Sequence, residues 1–88
     1  MNLDYFARKV AEQFKKHMNE LGLETFQELS RCYMWNSSDI KEEVDYYLRE
    51  ASNDEAYVDE EDGKFVYYKD ETLTYKEFSH LWRKYLNQ

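Results

Sequence analysis

The chain has 88 residues and a formal charge of −7, with 42% hydrophobic and 35% charged residues, two Gly, no Pro and one Cys. That length supports one hydrophobic core and no second domain, and the apolar and aromatic content is too high for a disordered chain. No apolar run approaches the ~20 residues of a membrane helix, the N-terminal segment lacks the build of a signal peptide, and Cys32 alone makes neither a disulfide framework nor a multi-cysteine zinc site. A cytoplasmic protein is the expectation.

In chain order, Leu3, Phe6, Ala7, Val10, Phe14, Met18 and Leu21 recur at three- and four-residue steps, which predicts a helix over about 3–21. Gly22 suits a left-handed C-cap, and Leu23 is placed to fold back on the last turn. Thr25-Phe26-Gln27-Glu28 reads as a capping box opening a second helix, with Phe26, Leu29, Cys32 and Tyr33 as its expected buried face. The cap-forming cluster Asn36-Ser37-Ser38-Asp39 then precedes a third stripe of Ile40, Val44, Tyr47, Leu48 and Ala51, a helix running to about Ser52. Tyr57-Val58 and Phe65-Val66-Tyr67-Tyr68 are β-favouring runs around Asp59-Glu60-Glu61-Asp62-Gly63-Lys64, whose Asp-Gly pair predicts a hairpin. Thr74-Tyr75-Lys76-Glu77 is a second capping box, opening a last helix with Phe78, Leu81, Trp82, Tyr85 and Leu86 on its apolar face. The expected fold is a small, mostly helical α+β domain over 1–88, in the order α-α-α-β-β-α with one short hairpin.

Charge is distributed unevenly. Residues 1–38 carry five acids and five bases, residues 39–62 eleven acids against Lys41 and Arg49, and residues 63–88 three acids against five bases. The middle segment therefore carries −9, more than the whole net charge. Such a field repels nucleic-acid phosphates and attracts basic surfaces.

Chemical motifs are sparse. Aligning Gly63 with the sixth position of an EF-hand loop puts Val58 first and Lys69 twelfth, where carboxylates are required, so an acidic hairpin tip is the better reading. His17 and His80 are far apart in sequence, no His-Glu-x-x-His or Cys-x-x-Cys spacing exists, and isolated glycines build no phosphate loop. No catalytic residue, metal or cofactor is expected, and an enzyme using Cys32 with a histidine is the least supported class.

Three helices and a hairpin also suggest a winged helix-turn-helix. Its reading helix and wing would then carry Asp39, Glu42, Glu43 and Asp45, and Asp59, Glu60, Glu61 and Asp62, against the basic character that phosphate contact demands. Direct nucleic-acid binding is disfavoured. Protein binding fits better: sixteen residues are aromatic, nine of them Tyr, and in Tyr46-Tyr47 and Tyr67-Tyr68 both rings cannot enter one core. Tyrosines among carboxylates suit Arg and Lys partners through charge and cation–π contact.

By its size, its acidic segment from Asp39 to Asp62 and the interleaved Tyr46, Tyr47 and Tyr57, the chain resembles the small acidic inhibitors of phages and mobile elements, of the anti-CRISPR and anti-restriction kind. The resemblance implies a non-enzymatic blocker that offers carboxylates in place of phosphates to a basic nucleic-acid-binding protein, such as a nuclease or its complex, in the host-cell cytoplasm. The residues read as partner contacts are Asp39, Glu42, Glu43, Asp45, Asp59, Glu60, Glu61 and Asp62, with Tyr46 and Tyr57 as anchors. The competing expectation is a structural or adaptor protein, a homodimer in one form, whose acidic face only confers solubility.

Overall fold

The computed structural model describes residues 1–88. Four helices, α1 (Asn2–Leu21), α2 (Phe26–Tyr33), α3 (Ser37–Ser52) and α4 (Tyr75–Leu86), accompany one antiparallel sheet of β1 (Ala56–Val58), β2 (Phe65–Tyr68) and β3 (Glu71–Thr74), in the order β1-β2-β3. The α+β architecture is the one read from the sequence, with one strand more.

That third strand escaped because its signals are weak. Tyr68 pairs with Glu71 across a two-residue turn, Lys69-Asp70, in which Lys69 takes φ 53°. Hairpin turns needing positive φ usually announce themselves with Gly or Asn, and this one has neither. The strand is four residues long and runs straight into the α4 capping box, where Thr74 accepts from the Glu77 N–H and Glu77 accepts from that of Thr74.

The helix ends follow their local chemistry. Gly22 is left-handed at φ 69°, its own N–H and that of Leu23 closing the carbonyls of Asn19 and Met18. Thr25 caps α2 through the Glu28 N–H, but the Glu28 carboxylate accepts from the Thr25 hydroxyl and not from its backbone N–H, so the expected box is half made; Asn36 with Asp39 forms the reciprocal box on α3. The start of α1 is capped from afar: the Glu71 carboxylate on β3 accepts from the N–H groups of Asn2 (3.3 Å) and Leu3 (3.1 Å) and from the Asn2 side chain (2.9 Å). These bonds hold Glu71 below the ordinary glutamate value, the Leu3 N–H contributing most.

The core is aromatic at its centre. Phe14 on α1 lies 4.9–5.2 Å, centroid to centroid, from the rings of Phe26, Tyr47 and Trp82, so one side chain ties all four helices together. Leu3, Val10, Phe14, Leu29, Val44, Leu48, Val66, Phe78 and Trp82 are fully buried. Trp82 Nε1 is buried with no hydrogen-bond partner, a cost that the packing of its ring offsets.

Four burial expectations fail. Cys32 and Tyr33 on α2 are exposed, as is Ala51 on α3. An eight-residue helix presents about two turns, and Leu29 with the half-buried Phe26 already fills its contact with the core. Tyr33 instead stacks on Trp35 at 5.0 Å. At the end of α3, Ser52 takes the inward position: its hydroxyl donates to the Leu48 carbonyl and accepts from the Ala56 N–H, which leaves Ala51 outside. Leu21, at the end of the α1 stripe, is also exposed. No helix is long and apolar enough to cross a membrane.

Candidate functional site

The acidic helix and the acidic hairpin tip, separated by the six residues 53–58, face each other. A cleft of about 440 Å³ is lined by Ser37, Ser38, Lys41, Glu42 and Asp45 from α3 and by Val58 through Gly63 from the end of β1 and the tip. Six carboxylates, those of Glu42, Asp45, Asp59, Glu60, Glu61 and Asp62, share it with one lysine.

Asp45 builds this arrangement. Its carboxylate accepts from the Val58 N–H at 2.7 Å and from Arg49 Nε at 2.9 Å. Together with Ser52 on Ala56, it satisfies the outward N–H groups of β1, so α3 side chains finish the sheet edge in place of a further strand. Arg49 then reaches Glu60 at 2.9 Å, and its bond to Asp45 is the first cause of a pKa held above the ordinary arginine value. On the other side, Lys41 Nζ donates to the Gly63 carbonyl at 2.9 Å and lies 4.6 Å from the centre of the Tyr75 ring. Gly63 has φ 66°, which selects glycine at the tip; a Cβ there would also displace the flexible end of Lys41, 2.9 Å away.

Within the tip, Asp59 Oδ1 accepts from the Glu61 N–H and Asp62 Oδ1 from the Lys64 N–H. The Lys64 N–H, followed by the Asp59 carboxyl, holds Asp62 below its ordinary value. Asp59 and Asp62 thus order their own loop, while the side chains of Glu42 and Glu61 make no hydrogen bond or ion pair within the chain. No group of three or more His, Cys, Asp or Glu residues is arranged to hold a metal ion.

The remaining residues read from the sequence separate into different places. Asp39 is spent on the α3 capping box. Glu43 is half-buried outside the cleft lining, and its charge adds to the burial that pushes the Tyr47 hydroxyl well above its ordinary value. Tyr46 is 57% exposed but lines a separate depression with Lys9, Gln13, Tyr47, Glu50 and Ala51. Tyr57 adjoins the tip, in a hollow with Arg49, Asp54, Asp59, Glu60 and Glu61. Sequence reasoning gave no role to Lys41, the counter-charge inside the cleft, or to Arg49, which pairs with Asp45 and Glu60 from outside its lining. Their signal was present: they are the only bases in the acidic segment, and Arg49 follows Asp45 at the favourable i,i+4 spacing.

Comparison with protein-family models, with curated proteins and with solved structures found no match to this chain.

Proposed function

We propose that this protein is a non-enzymatic inhibitor that occupies the basic nucleic-acid-binding site of a partner such as a CRISPR or restriction nuclease. The observation that supports the reading most is the convergence of α3 and the hairpin tip on one cleft with six carboxylates and a single lysine. A basic groove that normally holds phosphates meets there a fixed array of anions, which steers association and discriminates against acidic partners. Glu42 and Glu61 have no internal partner, and Glu60 is a solvent-exposed end of the Arg49 pair, so these three are the cleft carboxylates least engaged within the chain.

The test is binding of the tagged protein to purified nuclease complexes, beside the Glu42→Gln/Glu60→Gln/Glu61→Gln variant. The reading expects wild-type binding that weakens steeply with salt, competition by DNA or RNA, and loss in the variant. Binding that ignores salt, competitor and variant alike sinks it.

A further inference from the structure

Antiparallel pairing sends alternate residues of the sheet to opposite faces. Ala56, Val58 and Val66 are buried inward, and Tyr68 meets Phe6 of α1 at 4.9 Å on that side. The other face carries Tyr57, Tyr67 and Phe65. Tyr57 stands directly across from Tyr67 in the β1–β2 register, with ring centroids 5.6 Å apart, and Phe65 follows at 6.3 Å from Tyr67. Tyr57 is 37% exposed and Phe65 38%, with the half-buried Tyr67 between them, so the row is partly open to solvent. Core cover does not explain it, because the core lies on the opposite side of the sheet.

The surroundings of that row are anionic at the tip end. Asp59 and Asp62 lie close enough that their charge, after burial, helps to raise the Tyr67 hydroxyl above its ordinary value. One guanidinium already uses this environment. Arg49 lies 5.3 Å from the centre of the Tyr57 ring while it bonds Asp45 and Glu60, a cation held between carboxylates and an aromatic face. Aromatic sheet faces elsewhere stack nucleobases, but a bound strand would bring its phosphates against Asp59, Glu61 and Asp62. The same charges favour a cation. Between cations, the planar guanidinium stacks on rings and bonds carboxylates in a fork, whereas ammonium acts as a strongly hydrated point charge.

Resting on the reading of the protein as a binder of basic partners, we propose that this face docks arginine side chains of a partner's basic segment, stacked on Tyr57, Tyr67 and Phe65 and paired with Asp59 and Asp62. Asp59, Glu60 and Glu61 line both the acidic cleft and the hollow beside Tyr57, so one basic segment reaches both.

The experiment titrates the full chain with an arginine homopeptide, a lysine homopeptide of equal length and a single-stranded oligothymidine, following the ring resonances of the three residues by NMR. The expected result is ring shifts with the arginine peptide, tighter binding of arginine than lysine, and a loss of about tenfold in arginine affinity for Tyr57→Leu/Tyr67→Leu, which also removes the preference. Should that variant unfold, the wild-type ring shifts and the arginine preference decide the matter. Equal affinity for both peptides with unmoved rings, abolished by the Glu42/Glu60/Glu61→Gln variant, overturns this inference and leaves the acidic cleft standing. Oligothymidine shifting the rings overturns the choice of a protein ligand. Failure of both peptides to bind overturns this inference and the proposed function together.

Discussion

Two regions of the molecule are organised by opposite means. Around Phe14, where α1, α2, α3 and α4 meet, order comes from apolar contact, and the buried Trp82 Nε1 has no partner. At the corner where α3 meets β1 and the tip, burial is shallow, and charged side chains bonded to backbone groups do the positioning: Asp45 on Val58, Lys41 on Gly63, Asp59 and Asp62 on their own loop. The difference teaches how a small domain keeps an anionic surface in a defined shape. The apolar centre supplies the stability, and the corner spends part of it holding like charges near one another.

The largest expected effect lies at the centre. Phe14→Ala should cost about 3–5 kcal/mol, a large share of the ~5–15 kcal/mol that such domains possess, through lost burial and the cavity left among three rings. Chemical denaturation should show one cooperative transition at a much lower midpoint; a small shift would mean that the centre repacks freely.

A middle-sized effect is expected from Asp45→Ala. It strips the acceptor from the Val58 N–H and one partner from Arg49, a loss of about 1–3 kcal/mol for a part-buried acceptor. Asp45→Asn keeps an oxygen for Val58 and should recover part of it. The comparison predicts where the damage falls: amide exchange should quicken in β1 and the tip while α1 and α4 keep their protection. Uniform loss of protection would erase the distinction between the two regions.

The smallest effect concerns a carboxylate outside both regions. Glu71 caps α1 from β3, and its pKa in the folded state lies below the ordinary value of 4.5. A depressed folded pKa contributes stability above the unfolded value and loses it as pH falls through the folded one. Thermal melts should therefore find Glu71→Gln slightly less stable than wild type at neutral pH, the gap closing below about pH 4. A gap that persists in acid would mean that Glu71 acts by shape and not by charge.

Much of this architecture was legible in the chain. Helix periods, the caps at Thr25 and Thr74, the C-cap at Gly22 and the pairing of one exposed Tyr46 with one buried Tyr47 all depend on neighbours within a few residues, and such short-range signals survive in a sequence. β3 was not legible, because its turn uses Lys69 where positive φ ordinarily selects Gly. The exposure of Cys32 was not either, since apolar spacing marks a stripe on α2 without saying how much of it the core has room to cover.

The candidate surface divides along the same line. Its composition, with eleven acids between residues 39 and 62, was fixed by sequence alone, and so was its hostility to phosphate. Tertiary structure decided which of those acids stand together: Glu42 and Asp45 with the tip, Asp39 in a cap, and Glu43 and Tyr46 elsewhere on α3. It also decided that Tyr57, Tyr67 and Phe65 form one partly open row. The physical reason is that a charge or a ring acts over a few ångströms of space, and only the pairing of β1 with β2 and the bond from Asp45 to Val58 bring these distant stretches of chain that close.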